Sequence, residues 1–156
     1  MARTNERYLV TGGAGFIGSH LTRFLLQRGA VRVLDDLSTG TLENLREVMP
    51  AIEFVQGSVA DPATVRDAVD GCTRVFHLAA QVSVPLSMEQ PIETFEVNVY
   101  GTQLLLEAAR RSGCQRVVFA SSAAVYGNSP RLPKRETMHA APISPYGWSK
   151  YYGELL

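Results

Sequence analysis

The sequence predicts an α/β protein built on a doubly wound parallel sheet, and three observations carry that prediction. Short runs of consecutive apolar residues alternate with longer stretches of helical periodicity, and apolar runs without polar alternation belong to strands covered on both faces. Glycine and proline fall mainly at the joints between these segments. The first apolar run enters a glycine cluster that opens directly into a helix, and right-handed crossovers turn a series of such units into a doubly wound sheet.

The elements follow in order. Residues 8–11, Tyr-Leu-Val-Thr, form the first strand and lead into Gly12-Gly-Ala-Gly-Phe-Ile-Gly18. A helix from about 16 to 28 places Ile17, Leu21, Phe24 and Leu25 at helical spacing, and Gly29 ends it. Residues 30–34 give strand two, 35–40 a loop, and 42–48 a short helix before Pro50. Residues 52–55 give strand three. Asp61-Pro62 is an N-cap followed by proline at the first helical position, opening a helix to about 70. Residues 74–78 give strand four. A long helix over about 92–111 presents Phe95, Val99, Leu105, Leu106 and Ala109 near one side, and Ser112-Gly113 closes it. Residues 116–120 give strand five. The next stretch holds Pro130, Pro133, Pro142 and Pro145 and reads as loop, and a last helix starts near Tyr146 and still runs at Leu156. No repeat beyond the strand–helix unit and no interdomain linker is evident.

Composition narrows the function classes. With 156 residues, 46% hydrophobic and 19% charged, the chain can fill one core, which excludes wholesale disorder and collagen-like repeats. A formal net charge of zero gives no general attraction to nucleic acid or anionic membrane. No run approaches the roughly 18 apolar residues of a membrane helix, and Arg3 and Arg7 precede no uninterrupted apolar segment of a signal peptide. Cys72 and Cys114 make no CxxC pair and suit core positions. A cytoplasmic location follows by default. His20, His77 and His139 lack ligand spacing, so no metal site is expected.

The glycine cluster carries the first chemistry. Gly12, Gly15 and Gly18 stand between a strand and a helix, the context of a phosphate-binding turn. One glycine permits the turn, the next lets backbone approach a pyrophosphate, and the third lets helix and strand touch. The helix N-terminus supplies N–H groups for the anion. Asp35 closes strand two, where a carboxylate accepts hydrogen bonds from the adenosine ribose. That carboxylate repels a 2′-phosphate and no basic residue immediately follows it, so NAD is favoured over NADP. Asp36 either shares this role or caps the loop.

Five segments occur in order: Thr11-Gly-Gly-Ala-Gly-Phe-Ile-Gly18, Asp35-Asp-Leu-Ser-Thr-Gly40, His77-Leu-Ala-Ala-Gln81, Ser121-Ser-Ala-Ala-Val-Tyr-Gly127 and Tyr146-Gly-Trp-Ser-Lys150. Through them the chain resembles the N-terminal half of an extended short-chain dehydrogenase/reductase, of the nucleotide-sugar epimerase/dehydratase kind. The resemblance covers essentially all of the chain. It implies a Rossmann sheet of strand order 3-2-1-4-5, truncated before a sixth strand. It also implies an NAD-binding domain over 1–156 that is incomplete at its C-terminal end, with the sugar-nucleotide domain absent. It extends the cofactor-binding set to Phe16 and Ile17 in the turn, Ser38, Thr39 and Gly40 after strand two, and Ser58 and Val59 after strand three. Leu78, Ala79, Ala80 and Gln81 after strand four complete it, with Asn98, Tyr146 and Lys150. Many relatives carry Asp where this chain has Ser58, whose hydroxyl is the weaker partner for adenine. Asn98 resembles the asparagine that steadies the active-site backbone, or is an exposed polar residue of the helix.

Tyr146 and Lys150 are four apart and share a helix face. An ammonium beside a phenol favours phenolate, and lowering a tyrosine pKa from about 10 to about 7 takes roughly 4 kcal/mol. Tyr146 is then a usable general base near neutral pH. The resemblance assigns Ser122, Tyr146 and Lys150 as catalytic, with Lys150 also holding the nicotinamide ribose, and Ser83, Ser122, Tyr126 and Tyr146 as substrate-binding. Tyr126 packs near nicotinamide, or is core and rim.

The implied reaction is 4-epimerisation of a UDP-sugar through C4 oxidation to a 4-keto intermediate, with hydride returned to the opposite face. Related 4,6-dehydratases place Asp and Glu after the Ser/Thr of the fourth segment, and Ala123 and Ala124 stand there instead. Decarboxylases and reductases of nucleotide sugars stay open. So does an NAD-binding fragment with little turnover, since the family's sugar pocket comes mostly from its second half. The family also implies a homodimer through the long helix and the Tyr/Lys helix. An unpaired edge at strand five is expected.

Overall fold

The computed structural model describes residues 6–156, so Arg3 of the N-terminal reading lies outside the described residues. Five parallel strands pair in the order β3-β2-β1-β4-β5: β1 (Arg7–Thr11), β2 (Ala30–Asp35), β3 (Glu53–Gln56), β4 (Arg74–His77) and β5 (Arg116–Phe119). This is the 3-2-1-4-5 order expected from the sequence. The chain divides into two compact units. The first comprises the residues through Ala79 with Leu104–Ala120, and the second Ala80–Gln103 with Ser121–Leu156.

The first unit holds the whole sheet. Thr11 is in register with Leu34 on one side and His77 on the other, so β1, β2 and β4 end level with one another. Tyr8, Val10, Ala14, Leu25, Val31, Val33 and Leu45 form a buried apolar cluster. Leu9, Leu34 and Val75 are also buried, as the strictly alternating faces of a doubly covered sheet require. Helix α1 (Phe16–Leu26) buries Gly18, Ser19, Thr22 and Leu25. Of the apolar residues at helical spacing, Ile17 and Phe24 lie on the exposed side. Small residues face inward because the helix starts hard against the strand end, leaving no depth there for large side chains. Asp61 Oδ2 accepts from Thr64 N–H at 3.0 Å and Pro62 opens α2 (Pro62–Val69), as the sequence predicts. At its far end, the nearly buried Arg32 donates through Nη1 to the carbonyls of Asp67, Ala68 and Asp70 at 3.1, 2.7 and 2.8 Å. A cation at a helix C-terminus complements both the free carbonyls and the dipole. The edge strand β5 is only half buried, with Val118 44% exposed.

The second unit is helical. Helix α3 (Val84–Glu89) was not anticipated: Ser83 Oγ caps it by accepting from Leu86 N–H at 3.2 Å, with Pro85 in its first turn. Six residues are too few to show a periodicity. The expected helix over 92–111 is present in three pieces. These are α4 (Pro91–Phe95), a π-helical turn at Glu96–Tyr100, and α5 (Gly101–Arg111), which crosses into the first unit. Such turns widen a helix by one residue and often mark functional positions. Helix α6 (Pro145–Leu155) is capped by Ser144 Oγ, which accepts from Gly147 N–H at 3.1 Å. No helix of the described residues is long and apolar enough to cross a membrane.

Candidate functional site

In the first unit the turn after β1 is shaped by backbone crowding. Gly12 adopts φ +70°, and a Cβ on it would sit 2.7 Å from Ala79 N, while one on Gly18 would sit 2.1 Å from Gly12 O. Only hydrogen fits at either place. Thr11 Oγ1 accepts from Ala79 N–H at 3.1 Å and lies 2.7 Å from His77 Nδ1, tying the ends of β1 and β4 behind the turn. The N-terminus of α1 has no side-chain cap and no acidic residue in its first turn. The N–H groups of the turn at Phe16 and Ile17 are thus placed for an anion.

Asp35 is buried, and both carboxylate oxygens are engaged: Oδ2 accepts from Ala14 N–H at 2.9 Å and Oδ1 from Leu37 N–H at 2.8 Å. Each oxygen keeps a second lone pair for a further donor. The loop after β2 then folds back on the same turn. Thr41 N–H and Asn44 Nδ2 both donate to Ala14 O, at 3.2 and 2.8 Å, and Gly40 lies so close that a Cβ would meet Ala14 C at 2.8 Å. The peptide groups of Ala14 are therefore fixed from three directions. Asp36, Ser38 and Thr39 are exposed on this loop, with Asp36 Oδ1 accepting from Ser38 N–H at 2.9 Å. Ser58 Oγ accepts locally from Ala60 N–H at 3.1 Å, and Val59 is buried. Leu78 N–H donates to Thr11 O at 3.2 Å. Gly12, Gly15, Gly18, Asp35, Gly40, Leu78 and Ala79 are thus gathered around one turn. The donors and the close approaches fit a dinucleotide pyrophosphate and ribose.

In the second unit the site is organised by α6. Tyr146 is half buried and Lys150 is 3% exposed on this helix. Burial pushes the Lys150 ammonium down from 10.5 to about 8. The segment carrying Ser122 is held against the same helix at several points. Gly147 lies where a Cβ would be 2.9 Å from Ala124 O, and Ser121 Oγ hydrogen-bonds Glu154. Gly127, at φ +51°, lets Ala141 come close, and Ala141 N–H donates to Val125 O at 2.8 Å. Ser122 Oγ accepts from Ala124 N–H at 3.1 Å as the cap of a 3-10 turn, Ala123–Tyr126. Its own proton stays available for donation.

Asn98, in the π turn and buried, joins the other pieces. Its Oδ1 accepts from Gln81 N–H at 2.8 Å, and its Nδ2 donates to Gln81 O at 3.0 Å and to Ser149 Oγ at 2.9 Å. Ser149 Oγ in turn donates to Tyr146 O at 2.8 Å. Of the two readings left open for Asn98, the backbone-steadying one matches this geometry. Ser83 is occupied in capping α3. The sequence reading assigned no role to Ser149, Asn44, Thr11 or Glu154, although a hydroxyl inside the Tyr-x-x-x-Lys spacing was a signal for the first. Among the described residues no group of three or more His, Cys, Asp and Glu is placed to hold a metal ion.

Comparison with known proteins follows the same lines. A family profile described as GDP-mannose 4,6 dehydratase matches residues 9–156. The UDP-glucose 4-epimerase of Mycolicibacterium smegmatis is 46% identical over 154 residues, which is 96% of this chain and 49% of that protein. Among solved structures, the Thermus thermophilus UDP-glucose 4-epimerase in complex with NAD superposes with a TM-score of 0.86 at 44% identity. That match covers 96% of this chain and 49% of the other. The UDP-N-acetylglucosamine 4-epimerase from Methanobrevibacter ruminantium, in complex with UDP-N-acetylmuramic acid, gives 0.90 at 35%, over 96% and 48%. The chain spans about half the length of the curated relatives it matches.

Proposed function

This chain belongs to the NAD-dependent epimerase/dehydratase family of extended short-chain dehydrogenases/reductases, and from that membership we propose that it serves an NAD-dependent nucleotide-sugar 4-epimerase. The observation that carries this reading is α6, which presents Tyr146 with a buried Lys150 at about 8 and has the Ser122 turn packed on it through Gly147. When bound, NAD supplies reversible oxidation at the sugar C4 carbon. Tyr146 Oη removes the proton of the 4-hydroxyl and later returns it, and Ser122 Oγ donates a hydrogen bond to the same oxygen. Lys150 Nζ holds the nicotinamide ribose. The turn at Gly12–Gly18 takes the pyrophosphate, and Asp35, with Asp36 beside it, takes the adenosine ribose.

Ala123 and Ala124 support an epimerase over a 4,6-dehydratase, because neither side chain can act as acid or base in eliminating water. The substrate proposed is a UDP-hexose or UDP-N-acetylhexosamine, with Ser83 and Tyr126 on its side of the site. A cytoplasmic location belongs to the same reading. So does a homodimer through the helix that starts at Pro91 and α6, where Ile92, Tyr100, Trp148 and Tyr152 are exposed. The second reading is dinucleotide binding with little turnover by this stretch of chain, which matches about half the length of its relatives.

Calorimetric titration of NAD⁺, paired with conversion of UDP-galactose to UDP-glucose, separates the readings. Binding with turnover that Tyr146→Phe abolishes supports the epimerase. Binding without turnover leaves the second reading, and failure to bind NAD⁺ refutes both.

A further inference from the structure

Glu154 bonds a neutral hydroxyl from a distant part of the chain. Other exposed glutamates, Glu43 and Glu107, pair with arginines three or four positions along their own helical segments. Glu154 instead accepts from Ser121 Oγ–H, 33 positions back, and an ionised carboxylate can only accept. Both residues belong to the second unit and both are exposed. A bond between exposed groups adds little to the stability of the whole fold. What it can do is hold a backbone segment still.

Ser121 immediately precedes Ser122, and Glu154 stands on α6 four residues after Lys150 and eight after Tyr146, on one helix face. The segment is also fixed beyond Ser122. Gly147 of α6 lies where a Cβ would be 2.9 Å from Ala124 O, and Ala141 N–H donates to Val125 O at 2.8 Å. Ser122 Oγ itself accepts from Ala124 N–H at 3.1 Å, which leaves its proton as the group to be aimed. Anchors on both sides of Ser122 thus reach the helix that carries Tyr146. The Gly147 contact sets the approach from one side, and the Glu154 bond keeps the other from swinging. We propose that Glu154 is a positioning residue for 4-epimerisation: by holding Ser121 it aims the Ser122 hydroxyl at the substrate oxygen that Tyr146 also serves. This inference rests on the epimerase reading above.

Glu154→Ala, Ser121→Ala and their combination remove the bond, and Glu154→Gln keeps an acceptor in its place. Each variant of the whole chain is assayed with NAD⁺ for conversion of UDP-galactose to UDP-glucose, melted, and followed by amide hydrogen exchange over 121–126. Either alanine variant should lose fivefold or more in kcat with KM within twofold, and exchange over 121–126 should quicken. The double variant should be no worse than either single one. Glu154→Gln should recover at least half of the wild-type kcat, and every melting temperature should hold. Wild-type kcat in Glu154→Ala overturns the proposal. So does a glutamine variant as slow as the alanine one, since the charge and not the bond would then matter. A lower melting temperature in both single variants overturns it too, because general loosening would explain the rate. If the wild-type chain turns over nothing, the epimerase reading itself fails and this inference falls with it. The other failures concern Glu154 alone.

Discussion

Replacing Lys150 by methionine should make the protein more stable. Lys150 is 3% exposed, and burial lowers its ammonium from 10.5 to about 8. That gap corresponds to about 3 kcal/mol of penalty for keeping the charge in the folded state at neutral pH. Below pH 8 both folded and unfolded chains are protonated and the whole penalty is present. Between about 8 and 10.5 the folded chain gives up the proton while the unfolded chain keeps it, so wild-type stability rises with pH through this window. Methionine matches the length of the side chain without the charge. Urea unfolding at pH 7 should show Lys150→Met more stable by up to about 3 kcal/mol, and about 2 kcal/mol of that difference should vanish by pH 9.5. Taking the difference between the two proteins cancels the Cys72 thiol, which burial pushes up to about 11 and which acts in the opposite sense above pH 9. A variant less stable than wild type at pH 7, or a difference indifferent to pH, would refute the reasoning. Activity should be lost in the same variant, because the charge that weakens the fold is the one proposed to hold the nicotinamide ribose.

Three other outcomes are expected. Gly18→Ala, whose Cβ would lie 2.1 Å from Gly12 O, should lose more than about 3 kcal/mol in chemical denaturation. Gly113→Ala, at φ +72° with nothing within 4 Å, should lose only about 1 kcal/mol; similar losses for the two would discredit the crowding argument. Asp35→Asn leaves one carboxamide oxygen where two backbone donors now bond a carboxylate. It should lower stability by about 1–3 kcal/mol and NAD⁺ affinity at least tenfold, and a variant with wild-type values for both would show that the turn stands without it. Of the two cysteines, half-buried Cys114 should react with a thiol reagent in the native protein, and buried Cys72 only on unfolding. Two fast equivalents would contradict the burial of Cys72.

The sheet was legible because its strands are largely apolar runs set off by turn residues, so their number followed from the chain, while their order came with the family resemblance. The same held for the Asp61-Pro62 helix start, a local signal that needs no tertiary context. What stayed hidden was set by packing. The π turn at Glu96–Tyr100 has no sequence signature of its own; it exists where Asn98 bonds Gln81 and Ser149, residues 17 and 51 positions away. Helix α3 was too short for periodicity. Helical spacing of Ile17, Leu21, Phe24 and Leu25 did not disclose the inward face of α1, because proximity to the strand selects Gly18, Ser19 and Thr22. At the site, Asp35 was found from its place at a strand end. Its bonds to Ala14 and Leu37, and the bond from Asn44 to Ala14 O, depend on how the loop folds back and were not readable in advance.

That fold-back bears on the timing of binding. The peptide groups on either side of Ala14 are held by a carboxylate, a backbone amide and a side-chain amide belonging to the protein itself. The cradle thus has its final shape before a dinucleotide arrives, and little ordering is left to be done on contact. Capture is then governed by how often the anion meets the helix end, and not by waiting for a loop to close. Differences in affinity among variants of the cradle should accordingly appear in how long the ligand stays.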